Sequence, residues 1–526
     1  MPILNIRDMG TVGVNSDIAP WELPPAAFNS GINFRMSNGK VQSAGGIDAV
    51  GSAIGDTIGH VTPTRPYNEE PSWIACGESG IYLWDGTTWI DKSGSLSFSG
   101  LESDMWSSCS IGNVTFLNHP DLYPIYWTNI GDNTGDFEAL PWKAGTAETW
   151  ASKGYSCQAL CSHKNFLMAL GMKEGIEEYR DKVWWSHPTE PNGIPPYWDI
   201  TADQPDSLAG YVQLGKGGKI IGGESLRDSF IVYSEEAISA LDYTGDALGW
   251  RRRTISSSAD LVGREAVVEA KGQHFFIGRD DIMAFDGNSM QSIIHKRLKT
   301  RLASNVNNSR RHKSWAAHYE SFNEIWFGIP LDAAEYPDVA YVYNYRDNTW
   351  GLRHLEKEFR HGAFGPAPIS DPRSWDDMPG NFDDERGSWS MAGDSPFAGA
   401  MIGATDDTAF NLDPSLSTES QFTERTATVI RRTDLPIGGH EANTTITRIY
   451  PLVEGSAPIQ IRVGSAQKAG GEVRWASDYL TFTPGVDRKI DIRTTGETHA
   501  FEIRSEGQAF FDLTGMDIEF SLAGGR

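Results

Sequence analysis

The sequence predicts an all-β chain with few short helices: an irregular β-propeller-like domain joined to a β-rich platform, or sandwich, built from both termini. Three observations predict it. Short segments alternate apolar and polar residues, as in "GIYLWDGTTWIDKSG" (80–94), "DDIMAFDGNSMQSI" (280–293) and "YVYNYRDNTWGLR" (341–353). A period of two marks a strand with one buried face, and each segment breaks at an Asp or Asn beside a tight turn. The 55 Gly and 27 Pro are spread along the chain, while 18 Trp, 17 Tyr and 23 Phe supply large buried units although apolar content is only 39%.

A chain of 526 residues exceeds one ordinary core. Residues 1–45 are expected to form the amino-terminal part of the platform, 46–410 the propeller-like region, and 411–526 the carboxyl-terminal β-rich platform domain. Within the first segment, 26–31 is compatible with a short helix, and an alternating strand from Ile32 to Val41 turns at Ser37-Asn38-Gly39, where Asn-Gly tolerates positive φ. Hairpins follow at 110–127, 165–188, 228–243, 272–290 and 323–352, at irregular intervals. Successive antiparallel hairpins with aromatics at similar points suit propeller blades, without the strict period of a WD40 array. One amphipathic helix is expected over 293–307, with Ile294, Leu298 and Leu302 on one face. Residues 259–271 read as a second short helix or as a turn into a strand. The stretch 362–397 is rich in Gly, Pro and Asp, and is expected to be a long functional loop. After 411, alternating segments closed by Gly-bearing turns point to a sandwich.

The net charge of −25 opposes a surface that grips phosphate backbones. Four cysteines are too few for a disulfide framework, and the residues at the amino terminus do not read as a signal peptide. No run approaches the ~18 apolar residues of a membrane span. "CQALCSH" (157–163) has no second metal half-site, so Cys157 and Cys161 are expected to be buried thiols. "GYVQLGKG" (210–217) falls short of a phosphate loop, because Gly217 stands where magnesium needs Ser or Thr. "DNTGD" (132–136) and "DYTGD" (242–246) do not complete a calcium loop. "WDGTTW" (84–89) is similar to the Asp box of sialidase-like propellers, one residue short. Asp85, Gly86, Asp286, Gly287, Asp347 and Asn348 are therefore expected to be structural blade turns. Adjacent acidic pairs such as Glu177/Glu178 do not make a glycosidase pair. No catalytic residue, metal site or cofactor is expected, and the chain is not expected to be an enzyme. The concentrated basic residues His295, Lys296, Arg297, Lys299 and Arg301, with "RRHK" (310–313), are expected to meet an acidic protein partner.

Three stretches carry a resemblance. "PWELPPAAFNSGINFRMSNGKVQSAGG" near the amino terminus, "ADLVGREAVVEAKGQHFFIGRDDIMAFDGNSM" followed by "HKRLKTRL", and the final "FTPGVDRKIDIRTTGETHAFEIRSEGQAFFDLTGMDIEFSLAGGR" resemble the tail nozzle proteins (tail tubular protein B) of short-tailed, podovirus-like bacteriophages. Asp281 is a departure, standing where Gly is expected. The resemblance implies a structural virion protein assembled in the bacterial host cytoplasm. It would form a homo-oligomer, a hexamer, at the distal end of the tail, docked on a tail adaptor protein. Tail fibres or spikes would attach nearby, and double-stranded DNA would pass transiently, without sequence-specific binding. On that reading Trp375, Asp376, Asp377, Asp383, Asp384 and Glu385 line the lumen or form the tip, and the 295–301 cluster is an assembly interface. The alternatives are a carbohydrate-binding or sialidase-like propeller, acting as adhesin or hydrolase, or another tail or head-completion component.

Overall fold

The computed structural model describes residues 2–65, 71–128, 135–199, 206–215, 217–245, 249–258, 260–368, 399–414, 427–439, 442–455, 458–505 and 511–525. The protein is all-β. Among the described residues, seven four-stranded antiparallel sheets succeed one another as blades. Blade 1 runs Ile58–Thr64, Ser72–Gly77, Ile81–Trp84, Trp89–Asp91; blade 2 runs Ser107–Ile111, Val114–Asn118, Ile125–Trp127, Glu138–Ala139. Blade 3 runs Tyr155–His163, Phe166–Glu174, Glu177–Trp185, Gly210–Gln213; blade 4 runs Ile220–Leu226, Ser229–Ser234, Ile238–Tyr243, Trp250–Ser256. Blade 5 runs Val267–Ala270, Gln273–Ile277, Ile282–Phe285, Met290–Ser292; blade 6 runs Trp315–Tyr319, Glu324–Ile329, Val339–Asn344, Thr349–His354. Blade 7 contains His361–Pro366, Gly399–Thr405 and Thr408–Asn411, and takes its outermost strand, Asp48–Ala49, from near the amino terminus.

The first strand of each blade packs on that of the next, and blade 7 packs on blade 1, so the ring closes. Closure is non-covalent: Phe410 pairs with Ala49 and Asn411 with Asp48. Borrowing a strand in this way satisfies an edge that would otherwise expose unpaired backbone groups.

Two six-stranded sheets make the platform. One has the order Phe34–Ser37, Lys40–Ser43, Phe511–Gly525, Ala442–Gly455, Ile490–Gly496, with Ile3–Arg7 also on Phe511–Gly525. The other has Ser30–Ile32, Thr428–Pro436, Thr498–Ser505, Ile459–Ala466, Arg474–Trp475, with Leu480–Phe482 also on Ile459–Ala466. Ile6, Val41, Ile446 and Met516 of the first share a core with Ile430, Ile461 and Ile503 of the second. That core continues into Phe327 and Trp350 of blade 6 and Phe276 of blade 5, so platform and propeller are fused by apolar packing.

Several local expectations change. The turn expected at Ser37-Asn38-Gly39 is present, with Asn38 and Gly39 at φ of 52° and 77°, and the segments on either side of it, Phe34–Ser37 and Lys40–Ser43, pair as a hairpin. Residues 26–31 hold no helix, because Ser30–Ile32 is drawn into pairing with Thr428–Pro436. The helix expected over 293–307 is limited to Lys299–Asn305, since Lys296 adopts φ of 57° and breaks the run. Ile294, Leu298 and Leu302 are nonetheless buried together. In 259–271, turns lead into the strand Val267–Ala270. Among the described residues, no helix is long and apolar enough to cross a membrane.

Candidate functional site at the propeller axis

The residues expected as blade turns show how the sequence writes its corners. Asp85 Oδ1 accepts the amides of Thr87 (2.7 Å) and Thr88 (2.6 Å), and Gly86 takes φ of 100°. Asp286 Oδ1 accepts those of Asn288 and Ser289, both at 2.8 Å, with Gly287 at φ of 99°. Burial pushes the Asp85 carboxyl up, but the bonds from Thr87 and Thr88 together outweigh it and hold the group below the usual range, as the Ser289 and Asn288 bonds do for Asp286. Trp84 and Trp89 pack with ring centroids 5.3 Å apart. The third corner is built differently. Asn344, one position earlier in the hairpin, accepts the amides of Arg346 and Asp347, both at 3.0 Å. Asp347 instead accepts the Asn38 amide of the platform hairpin (3.0 Å), and Asn348 takes φ of 52°.

The basic cluster serves largely as a seat for the chain's own amino-terminal segment. The carbonyls of Lys296 and Arg297 accept bonds from Asn15 and Ser16, each 2.8 Å long, and Arg297 Nη1 donates to the Val12 carbonyl (3.0 Å). Asp17 receives the amides of Lys299 (2.9 Å) and Thr300 (3.0 Å), capping the helix from far away in sequence. Lys299 also pairs with Asp281. Arg301 is half-buried, whereas His295 and Lys296 are exposed. Trp375, Asp376, Asp377, Asp383, Asp384 and Glu385 lie outside the described residues.

The weighed motifs disperse. Cys157 Sγ donates to Asn118 (3.2 Å) and Cys161 Sγ to the Gly223 carbonyl (3.3 Å), while His163 bonds Ser225 (2.9 Å). Burial pushes both thiols up, as expected of inert cysteines. Glu177 and Glu178 are successive strand residues and point to opposite faces, one bonded to Tyr179 and the other to Arg180.

The charged site that brings most of the molecule together lies where the blades' first strands converge, and its centre is Arg264-Glu265. Arg264 donates to the carbonyls of Gln158 in blade 3 (2.9 Å) and Trp106 before blade 2 (2.8 Å), and its Nε to Glu265 (3.1 Å). The Glu265 carbonyl accepts the Ala316 amide of blade 6 (2.7 Å), and its carboxylate faces His361 Nε2 of blade 7 at 3.4 Å. Burial raises the Glu265 carboxyl, but His361 and Arg264 outweigh it and hold the group well below its usual range. His361 stacks on His60 of blade 1, with centroids 4.1 Å apart. Burial keeps His60 neutral. Deeper along the axis, Glu224 of blade 4 is pushed up to about 7 by burial and by Glu265 and Glu269 nearby.

His60, Glu265 and His361 bring ligand-type atoms within 4.8 Å of one another. Their hydrogen bonds disfavour a metal. The Val61 amide donates to His361 Nδ1 (3.4 Å), which puts the ring proton on Nε2, facing Glu265. A ring in that tautomer has no lone pair for a metal on that side, and Arg264 already occupies the carboxylate. The arrangement acts as a clamp that closes the seam between blades 7 and 1. Sequence reasoning singled out "ADLVGREAVVEAK" without finding this role. The only local signal was a charged pair after Gly263, where an added Cβ would meet the His312 carbonyl oxygen at 2.3 Å.

No protein-family model matches the chain, and no curated protein matches it. Among solved structures, the Neurospora crassa Pan2 WD40 domain is similar at 9% identity and a TM-score of 0.29, over 48% of this chain and 74% of that one. The extracellular domain of a hybrid two component system from B. thetaiotaomicron is similar at 9% identity and a TM-score of 0.27, over 54% of this chain. This chain spans 38% of that protein's length. At such scores neither likeness bears on function.

Proposed function

We propose that this chain is a structural virion protein, a tail nozzle subunit that acts as a ring of identical copies at the distal end of a short bacteriophage tail. The observation that carries the reading is where apolar side chains remain exposed. Ile3, Trp21, Leu480, Val486 and Leu522 all lie on the platform, whereas only Ile90, Ile176 and Tyr211 do so on the blades among the described residues. Val486 is 79% exposed and Leu522 66%. Ile176 of blade 3 is 97% exposed, so the platform holds five of the eight such side chains among the described residues, and this excess favours a platform surface that is covered in an assembly. The platform is also rigidly tied to the propeller, as a ring subunit requires. The resemblance of the two ends and the centre of the sequence to nozzle proteins supplies the rest of the reading: a hexamer on the tail adaptor, with fibres or spikes at the junction and DNA passing through the ring. A net charge of −25 per copy disfavours adhesion of DNA to the conduit wall.

Mass photometry and negative-stain microscopy of the purified full chain, alone and with tail particles, test this. Rings of about six copies are expected, and Val486→Glu with Leu522→Glu should release folded monomers. A chain that stays monomeric at micromolar concentration and is absent from particles overturns the reading.

A further inference from the structure

We propose that the mouth of the propeller axis is a binding site for a small oxyanion, a molecule bearing a phosphate or carboxylate group. A cavity of about 190 Å³ opens there. It is walled by the chain just ahead of, or at the start of, the first strands of blades 2 to 7, so a ligand in it would touch six of the seven blades. The volume is several times the ~30 Å³ share of one water. It is below the ~300–1,000 Å³ of pockets that hold drug-sized ligands. A single small anion fits.

The charge of the lining runs against the charge of the chain. Lys219, Arg264, Lys313 and Arg360 face only Asp104 and Glu265 in the wall, in a protein whose net charge is −25. Two of these cations are already committed: Arg264 to the carbonyls and carboxylate described above, and Lys313 to Glu335 (3.0 Å) and Asp104 (3.4 Å). Arg360 is committed in part. Its Nη1 lies 3.5 Å from Asp406 and its guanidinium stands over the Tyr336 ring, but its buried Nε has no hydrogen-bond partner. Ser314 Oγ is likewise buried without a partner. Lys219 is exposed at the rim. Buried donors left without acceptors cost folding free energy, and an oxyanion offers several acceptor lone pairs at once. The unpartnered atoms of Arg360 and Ser314 are sealed from solvent, so with a local shift of those two side chains Arg360, Ser314 and Lys219 would hold it from blades 7, 6 and 4, tightening the ring from its centre. The site lies within one chain and does not depend on assembly.

Isothermal titration calorimetry of the full chain with inorganic phosphate and with succinate, at matched ionic strength against potassium chloride, tests the proposal. Saturable binding of phosphate, succinate or both is expected, and the pattern identifies which oxyanion the site prefers. Lys219→Gln on the rim and Ser314→Ala in the wall should each weaken it, and Arg360→Leu by about tenfold or more. Circular dichroism checks that each variant is folded, and Lys219→Gln remains informative if Arg360→Leu is not. The proposal is overturned if neither anion gives heat beyond the chloride control, or if binding is unchanged in folded Lys219→Gln and Ser314→Ala.

Discussion

Arg35, on the platform hairpin, meets Glu324, in blade 6, across 289 residues of sequence: Nε lies 2.6 Å from Oε1 and Nη2 3.1 Å from Oε2. The pair is almost wholly buried, and it is part of a balanced set. Arg35 Nη2 also meets Asp413 (2.6 Å), which in turn pairs with Arg353 (3.2 Å) and accepts the Gly45 amide (2.9 Å). Burial disfavours every one of these charges. It lowers Arg353 with little relief, but in Arg35 and Asp413 the facing charges outweigh it and favour the ionised form. Two cations and two carboxylates thus weld the platform, blade 6 and the end of blade 7.

Removing one member leaves an uncompensated buried charge. Glu324→Gln or Arg35→Met should therefore destabilise the protein by about 3–5 kcal/mol, read as a lower urea midpoint. The double variant Arg35→Met/Glu324→Gln leaves Arg353 and Asp413 balanced and should lose less than the two single losses added together. Strict additivity would show that the four groups do not act as a set.

The blade corners make a smaller prediction. Asp85→Ala removes an acceptor from two exposed amides that water can reach, so it should cost only about 0.5–1.5 kcal/mol. Gly287→Ala meets no close atom, its nearest neighbour being Leu226 at 3.4 Å, yet it must hold φ of 99°. It should cost about 1–2 kcal/mol from backbone strain alone. Thermal unfolding of the two variants measures both.

Stability should fall on mild acidification. His274 and His499 are buried, and burial lowers each to about 4 from 6.5, only partly offset by bonds to the Ser225 carbonyl and to Thr444. A depressed folded pKa means that the contribution is complete above 6.5 and is lost as pH falls towards 4, by up to about 3 kcal/mol per histidine. Glu224, raised to about 7, works in the opposite direction as it gains a proton, and offsets part of the loss. Carboxylates such as Asp413 enter only below the unfolded carboxylate range. Urea unfolding at pH 7 and pH 4.5 should show the loss, and His499→Gln should flatten it. An unchanged midpoint would contradict the assignment.

Gly263→Ala should disturb the axis more than any blade corner, because its Cβ would lie 2.3 Å from the His312 carbonyl oxygen and displace Arg264. Faster limited proteolysis across several blades, with the platform retained, is the expected readout.

Much of the architecture was legible in the sequence because its cause is local. Strand alternation at 280–293 and 341–353 follows from which side chains must face a core, and Asp-Gly corners follow from backbone chemistry within four residues. The helix at 293–307 was over-read for a corresponding reason. Its apolar spacing was right, but Lys296 turns left-handed where the chain receives Asn15, Ser16 and Asp17, a contact no local pattern announces. Asp347 lies in the corner that the sequence predicts, and its carboxylate also bonds Asn38 of the platform, which the local pattern does not announce.

The sequence by itself determined that this is an all-β protein, where its hairpins turn, and that its overall charge is strongly acidic. Those properties rest on side-chain periodicity, turn stereochemistry and counting. Only the tertiary structure decided that there are seven blades, that Asp48–Ala49 closes the seventh, and that Arg35, Glu324, Arg353 and Asp413 form one buried set. It alone placed Arg264 and Glu265 at the axis. Each of these depends on groups far apart in the chain being desolvated together. The free energy of such an encounter lies in the pairing, and neither partner's local sequence encodes the other.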